Sequence, residues 1–138
     1  MKTLIVEDDF VSRLLMQELL RVYGQCDVAV NGKEAIVAVA SSLEAGTPYD
    51  LICMDIMMPE MDGQEALKEV RRLEEKHGRE PGQGARVFMT TALRDRQSVM
   101  QAFREQCDGY LVKPIEKAKL LGYLRQLGLI SDADPPSA

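Results

Sequence analysis

Five polar side chains lie where strand-like apolar runs of this sequence end. They are Asp8 and Asp9 after the first run, Asp55 at the end of the third, Thr91 at the end of the fourth and Lys113 after the fifth. Because the carboxyl ends of parallel strands share one edge of an open α/β sheet, we expect these side chains to lie close together. Carboxylates that converge repel one another unless a cation is bound between them. The spacing therefore predicts a divalent-cation site.

The residue types at this edge also fit phosphoryl chemistry. The expected ligands are oxygens, and a site with few carboxylates and room for water suits Mg²⁺ better than Ca²⁺. A phosphoryl group in this site would meet the metal, the Thr91 hydroxyl and the Lys113 ammonium, which together stabilise charge on its equatorial oxygens. Asp55, the central carboxylate, is then the expected nucleophile, and its product is an aspartyl phosphate.

Each of these residues also has a simpler structural interpretation. Asp55 alone could form a turn, Asp8 and Asp9 could cap a helix, Thr91 could cap a loop, and the lysine–proline pair after the fifth run could form a surface turn. Any one of them alone is more often structural. All five at strand ends are difficult to obtain by chance, so the joint pattern favours the functional interpretation.

The elements that position these residues alternate along the chain. Apolar runs predict strands at 2–6, 26–30, 51–54, 86–91 and 109–112, and helical spacing predicts helices at 11–22, 33–45, 64–76, 95–106 and 116–127. The apolar stripe predicted for the first helix consists of Val11, Leu14, Leu15, Leu19 and Val22. Five strands alternating with five helices predict an α/β fold, a three-layer, doubly wound parallel sheet with right-handed crossovers. The stretch 77–84, rich in Gly, Pro and charge, predicts an exposed loop.

Length and composition fit one ordinary domain. The chain has 138 residues, of which 46% are hydrophobic and 28% charged, and we expect a domain over 1–127 and a short, flexible C-terminal tail over 128–138. The net charge of -5 disfavours direct binding to nucleic acid. The three cysteines are widely spaced and predict reduced thiols. With neither a signal peptide nor a membrane-spanning apolar run in the sequence, we expect a cytoplasmic protein.

Four separated motifs together resemble the receiver domain of bacterial two-component response regulators, the CheY-like family. They are Val-Glu-Asp-Asp-Phe at 6–10, Met-Asp-Ile-Met-Met-Pro-Glu-Met-Asp-Gly at 54–63, Thr-Thr-Ala at 90–92 and Gly-Tyr-Leu-Val-Lys-Pro-Ile at 109–115. The resemblance covers roughly residues 2–127. It implies a flavodoxin-like sheet with the strand order 2-1-3-4-5.

The resemblance also implies roles for single residues. Asp55 resembles the phosphoacceptor, and Asp9, Asp55 and the backbone carbonyl of Met57 would hold Mg²⁺. Asp8 resembles the second acidic residue, which acts on the metal through water, and Glu7 is not expected to be a ligand.

The remaining motif residues resemble the switch and phosphate-binding groups of the family. Thr91 and Lys113 would contact the phosphoryl oxygens, and the bond from Lys113 to Pro114 is often cis in this family. Tyr110 resembles the aromatic switch residue that moves together with Thr91, outward in the free protein and inward after phosphorylation.

The resemblance implies a signalling domain rather than an enzyme, with self-catalysed phosphoryl transfer and autodephosphorylation only. A histidine kinase or a histidine phosphotransfer protein would donate the phosphoryl group from a phosphohistidine. A downstream protein would dock on the face formed by predicted helix 95–106, strand 109–112 and helix 116–127. We expect no direct nucleic-acid binding, no membrane insertion, and a monomer or a weak dimer that depends on phosphorylation.

Three other interpretations stay open. The chain could be the receiver part of a longer regulator whose output domain is omitted. A small-molecule phosphohydrolase shares the aspartate nucleophile and Mg²⁺, but it normally needs a second acid two residues after the nucleophile, where Met57 stands. A flavodoxin-like FMN-binding protein is disfavoured because no Ser/Thr-rich phosphate loop follows the first strand.

Overall fold

A computed structural model describes residues 1–58, 61–80, 82–91 and 107–131. Five parallel strands form one sheet in the order β2-β1-β3-β4-β5, which confirms the expected topology. The strands are β1 Thr3–Val6, β2 Cys26–Ala29, β3 Leu51–Asp55, β4 Arg86–Thr91 and β5 Gly109–Val112. The central strand β3 is buried along its whole length, as a parallel strand covered on both faces should be.

Four α-helices connect or follow these strands in the described residues. They are α1 Phe10–Leu20, α2 Gly32–Glu44, α3 Gly63–Lys76 and α4 Lys117–Gln126, and a short 3-10 helix, Arg21–Tyr23, continues α1. The fifth predicted helix, at 95–106, lies outside the described residues. None of the helices in the described ranges is long and apolar enough to cross a membrane.

The start of each of the first three helices is set by a local capping residue. The side chains of Asp9, Asn31 and Asp62 each accept a hydrogen bond from a backbone N–H in the first turn of the helix that follows. Such caps satisfy N–H groups that have no partner inside the helix. Helices α1 and α3 therefore begin directly after the loops that follow β1 and β3.

The hydrophobic core divides into two clusters, consistent with a three-layer arrangement. One cluster contains residues of α2 and α3, among them Ala35, Val39, Ala66, Leu67 and Val70. The other contains residues of α1 and α4, among them Met16, Leu20, Leu120, Leu121 and Leu124. Ile130 is 6% exposed and belongs to the second cluster, so the packed chain continues past the domain boundary expected at residue 127.

Helix α1 buries a different face from the one that its apolar stripe indicated. Met16 and Leu20 are buried, whereas Val11, Leu14 and Leu15 are 71%, 46% and 42% exposed. The helix carries apolar residues on more than one face, and the hydrophobic spacing alone did not distinguish the face against the sheet from the others. Val22 is exposed as well, whereas Leu19 is half-buried against the second cluster. The predicted stripe was therefore wrong except at Leu19, and α1 presents an apolar surface to solvent.

The loop that follows α3 is anchored by a buried carboxylate. Glu74, at 4% exposure, accepts hydrogen bonds from the Ala85 backbone N–H at 2.6 Å and from Arg71 at 2.7 Å. Gly84 is needed beside it, since a Cβ there would overlap the Glu74 carboxylate. A cleft of about 300 Å³ lies between this loop and the starts of β4 and β5, at the amino-terminal edge of the sheet.

Candidate functional site

Asp55 is the last residue of β3 and is 4% exposed. The backbone N–H of Met57 donates to Asp55 Oδ1 at 3.0 Å, and the N–H of Ile56 donates to the Thr90 carbonyl oxygen at 2.9 Å. These bonds hold both the carboxylate and the backbone that carries it. A buried carboxylate is therefore fixed at the carboxyl edge of the sheet, where open α/β proteins bind their ligands.

Gly63, the first residue of α3, allows this helix to approach the end of β3 closely. Its N–H donates to the Ile56 carbonyl oxygen at 2.9 Å. A Cβ on Gly63 would collide with the Asp55 carbonyl oxygen and would lie 2.7 Å from Met89 Cε. Only glycine fits this contact without a shift of the backbone, so the Asp62-Gly63 pair serves to pack α3 against the Asp55 position.

Three carboxylates meet beside the end of β3. Oxygen atoms of Glu7, Asp8 and Asp55 all lie within 4.8 Å of one another, and we call these three residues the acidic cluster. Glu7 is 3% exposed, whereas Asp8 is exposed. The cluster thus has a buried side formed by Glu7 and Asp55 and an open side at Asp8.

Lys113 is the cation of this site. Its Nζ donates to Asp55 Oδ2 at 3.1 Å and forms an ion pair with Glu7 Oε1. Burial alone would lower the pKa of Lys113, but the hydrogen bonds and charges of Glu7 and Asp55 raise it above the usual lysine value. The peptide bond from Lys113 to Pro114 is cis, as expected from the sequence.

Asp9 is placed differently from the other two residues of the Glu-Asp-Asp sequence. Its side chain caps α1 by accepting the Ser12 N–H at 2.9 Å, and it is not a member of the acidic cluster. The hydrogen bonds from Ser12 lower the pKa of Asp9 below its usual value. The structure therefore brings Glu7 and Asp8 to Asp55, whereas the sequence predicted that Asp8 and Asp9 would lie there.

The physical reason for this difference is the position at which β1 becomes α1. Strand β1 ends at Val6, and Asp9 occupies the N-cap of a helix that begins at Phe10. Glu7 turns its Oε2 toward the Asp9 backbone N–H at 3.1 Å and its Oε1 toward Lys113. A cap at Asp9 thus leaves the two preceding acids for the sheet edge. The capping signal was present in the sequence, since Asp directly before an apolar helical run is a typical N-cap.

The remaining candidate residues lie at or near the same edge. Thr91 ends β4, is 3% exposed, and accepts the Lys113 backbone N–H on its carbonyl oxygen at 2.7 Å. Met57, two residues after Asp55, is 60% exposed. Tyr110 lies on the edge strand β5 and is 37% exposed. Predicted helix 95–106, which is part of the expected docking face, lies outside the described residues.

The composition of the acidic cluster fits a hard divalent cation. Its donors are carboxylate oxygens only, and the exposed Asp8 leaves one side open to water. Three carboxylates and Lys113 sum to a formal charge of -2, which one divalent cation would neutralise. Repulsion between carboxylates this close is relieved by such a cation, so the residues present fit Mg²⁺.

Comparisons with known proteins point to one family. Residues 3–125 match the response regulator receiver domain family. The transcriptional regulatory protein ResD of Bacillus subtilis is 36% identical over 137 residues, which cover 99% of this chain and 50% of ResD. The chemotaxis protein CheY of Bacillus subtilis is 29% identical over 125 residues, covering 87% of this chain and 91% of CheY.

A solved structure agrees with the sequence matches. The receiver domain of the histidine kinase CKI1 from Arabidopsis thaliana, complexed with Mg²⁺ and BeF₃⁻, aligns with a TM-score of 0.78 at 27% identity, over 94% of this chain and 90% of that chain. The chain spans only 7% to 13% of the length of several histidine kinases that it also matches. The similarity therefore concerns one domain of those longer proteins.

Proposed function

Because this chain belongs to the response regulator receiver domain family of two-component systems, we propose that Asp55 is its phosphoacceptor. The observation that carries the proposal is a buried carboxylate at a strand end with two acids and a lysine gathered around it. Asp55 Oδ1 accepts a hydrogen bond from the Met57 N–H, and Asp55 Oδ2 accepts one from Lys113 Nζ. The orientation of the carboxylate is therefore fixed before any phosphoryl donor arrives. A positioned carboxylate can attack phosphorus without first reorganising the site.

We place Mg²⁺ at the acidic cluster, held by Glu7, Asp8 and Asp55, with the backbone at Met57 as a further oxygen source. The Mg²⁺ named for the CKI1 receiver domain supports this choice of metal. When bound, the ion would neutralise charge on the phosphoryl oxygens. Asp9, which the sequence indicated as a ligand, is assigned to the helix cap instead because its carboxylate is engaged with the Ser12 N–H.

Lys113 and Thr91 complete the proposed site. The Lys113 ammonium already contacts Asp55 Oδ2, so it is in position to pair with a phosphoryl oxygen once Asp55 carries the group. Glu7, its second partner, holds the ammonium near the sheet edge in this structure. Thr91 ends the neighbouring strand and would donate its hydroxyl to another phosphoryl oxygen. The Lys113 backbone N–H donates a hydrogen bond to the Thr91 carbonyl oxygen. A movement at the end of β4 therefore affects the end of β5.

The switch we propose runs from Thr91 to Tyr110. Thr91 and Tyr110 lie on the adjacent paired strands β4 and β5, and Tyr110 is 37% exposed. If Thr91 moves toward the phosphoryl group, the space it leaves would admit Tyr110, and the surface around β5 and α4 would change. A downstream protein would read this surface, on which Lys117 and Lys119 are exposed.

The phosphoryl donor we propose is a phosphohistidine on a histidine kinase or a histidine phosphotransfer protein. The exposed apolar residues of α1 begin at Phe10, two residues after Asp8, the exposed member of the acidic cluster. In the transfer an Asp55 oxygen forms a bond to phosphorus while the phosphorus–nitrogen bond breaks and the imidazole leaves with the donor. A donor protein docked for this step would lie near the start of α1, where exposed Phe10, Val11, Leu14 and Leu15 offer it an apolar contact.

We propose the same site chemistry for a domain that acts alone and for one that is part of a longer protein. Its relatives include the single-domain CheY and the longer ResD and histidine kinases, and both arrangements use the same acidic cluster in our proposal. A cytoplasmic location and a monomer or weak phosphorylation-dependent dimer stay predictions.

The test is phosphorylation by acetyl phosphate, followed by intact mass. The parent chain should gain one phosphoryl group in the presence of Mg²⁺ and none in the presence of a chelator. Asp55→Asn should gain none, whereas Asp50→Asn, the same change at an exposed aspartate before β3, should behave as the parent. Phosphorylation of Asp55→Asn at the parent rate would remove Asp55 from the proposed role.

A further inference from the structure

Arg13 makes a contact that neither helix formation nor the phosphoacceptor chemistry requires. Its Nη1 donates to the backbone carbonyl oxygen of Glu7 at 2.9 Å, six residues earlier in the chain. The same guanidinium lies over the Phe10 ring, 5.7 Å from its centroid. Arg13 therefore reaches back over the start of its own helix to the segment that carries two members of the acidic cluster.

The position of this arginine is unfavourable for the helix itself. Arg13 is the fourth residue of α1, where the positive end of the helix dipole disfavours a cation. No acidic residue lies within the first turn of α1, and the nearest acid of this helix is its N-cap, Asp9, whose carboxylate accepts the Ser12 N–H. The side chain of Arg13 donates instead to the Glu7 carbonyl, outside the helix.

The Glu7 carbonyl belongs to the peptide group that joins Glu7 to Asp8. The Glu7 N–H is tied to the Ala29 carbonyl oxygen at 3.0 Å, and the Asp9 N–H is tied to Glu7 Oε2 at 3.1 Å. The Arg13 guanidinium donates to the carbonyl oxygen between these two N–H groups. The three hydrogen bonds together hold the backbone on both sides of Asp8. Asp8 is the exposed member of the acidic cluster, so its direction depends on this backbone rather than on packing around its side chain.

We propose that Arg13 is a positioning residue for the metal site, acting through the Glu7 carbonyl to aim the Asp8 carboxylate. This inference rests on the proposed metal site at Glu7, Asp8 and Asp55. It makes a prediction opposite in sign to simple electrostatics. Removal of a positive charge near a cation site should strengthen Mg²⁺ binding by Coulomb attraction alone. Loss of the hydrogen bond from Arg13 to the Glu7 carbonyl should instead weaken Mg²⁺ binding.

The experiment is a Mg²⁺ titration followed by ¹H–¹⁵N NMR on the full chain, with the amides of residues 8 and 57 as reporters. Arg13→Met removes the charge and the donors but keeps an extended side chain, and we expect it to raise the Kd for Mg²⁺ about fivefold, the factor that one hydrogen bond of typical net strength represents. Arg13→Lys, which keeps the charge and one donor, should fall between Arg13→Met and the parent.

The matched control is Arg21→Met, an identical change at the other end of the same helix region, where Arg21 pairs with Glu18 at 3.2 Å. Its Kd should stay within about twofold of the parent, because exposed charges are screened over such distances. At saturating Mg²⁺, phosphorylation of Arg13→Met by acetyl phosphate should proceed at the parent rate, as expected if only metal binding has changed.

An unchanged or lower Kd in Arg13→Met would overturn the inference, as would an equal rise in Arg21→Met. If Arg13→Met does not give a dispersed spectrum, the comparison of Arg13→Lys with the parent decides by the same criterion. A parent chain that shows no response to Mg²⁺ would remove the proposed metal site itself, and this outcome is distinct from parent-like binding in an Arg13 variant.

Discussion

The adjacent residues Asp8 and Asp9 offer a sharp test of the site geometry, because the same substitution at each should give different results. Asp8→Asn replaces a member of the acidic cluster, whereas Asp9→Asn replaces a helix cap. Asparagine caps helices about as well as aspartate, so Asp9→Asn should fold normally. Each variant removes one negative charge, which makes the pair a matched comparison.

The expected magnitude follows from the distances in the cluster. Its carboxylate oxygens lie within 4.8 Å of one another, so a cation among them would lie close to each carboxylate. Two unit charges 4 Å apart interact by about 4 kcal/mol at an effective dielectric constant of 20, and a dication by roughly twice that. Water that replaces the lost carboxylate recovers most of this energy, and we expect Asp8→Asn to weaken Mg²⁺ binding by at least about tenfold, or ~1.4 kcal/mol.

Asp9→Asn should change the Kd for Mg²⁺ by less than about threefold, because the Asp9 carboxylate is solvent-exposed and its effect on the cluster is screened. Isothermal titration of both variants with MgCl₂ measures the difference, with circular dichroism to check the fold. Loss of Mg²⁺ binding in Asp9→Asn together with near-parent binding in Asp8→Asn would refute the assignment of cluster and cap.

Three further outcomes are expected. Gly63→Ala should lower the free energy of unfolding by about 1–3 kcal/mol, because the new Cβ overlaps the backbone at the end of β3. At Gly122 a Cβ meets nothing within 4 Å, so Gly122→Ala should raise the free energy of unfolding by about 0.4–1 kcal/mol. Chemical denaturation measures both values, and an unchanged stability of Gly63→Ala would contradict the close contact. Leu14→Glu should slow phosphotransfer from a phosphohistidine protein but not from acetyl phosphate. Val37→Glu, at an exposed apolar position of α2, should slow neither, and equal effects of the two changes would exclude α1 as the donor surface. Burial raises the pKa of Cys107 to about 11, so its alkylation at pH 8 should be about a hundredfold slower than that of free cysteine and should accelerate as the pH rises; mass mapping of a rapidly labelled Cys107 would contradict its burial.

Much of the fold could be predicted because the relevant signals are local. The uninterrupted apolar run before Asp55 identifies a strand covered on both faces, and the alternation of such runs with helical spacing gives a parallel sheet. The convergence of Asp55 and Lys113 follows from topology alone, since parallel strands end at one edge. Their contact at 3.1 Å agrees with that reasoning.

The run of three acids at 7–9 did not by itself show which two of them face Asp55. Three carboxylates in a row leave open which two face the cluster, and one residue of difference changes a metal ligand into a helix cap. The decision depends on where β1 ends, at Val6, and on the competition of Asp9 for the N-cap of α1. Glu7 was left out for this reason, although its carboxylate, like that of Asp55, pairs with Lys113.

Long-range packing explains the other differences. Helix α1 carries apolar residues on several faces, and only the tertiary structure selects Met16 and Leu20 for the core. Glu74 was indistinguishable from the exposed glutamates around it, yet it is buried against Arg71 and the Ala85 N–H. Such a carboxylate is recognisable only when the partners that compensate its burial are in place.

Trapping the acyl phosphate gives the most direct test of Asp55 as the phosphoacceptor. The chain would be phosphorylated with acetyl phosphate and Mg²⁺, reduced with borohydride, which converts a phosphorylated aspartate to homoserine, and mapped by peptide mass spectrometry. We predict homoserine at position 55 and aspartate retained at positions 8, 9 and 62, with no conversion when a chelator replaces Mg²⁺. Homoserine at another aspartate, with position 55 unchanged, would contradict the role of Asp55.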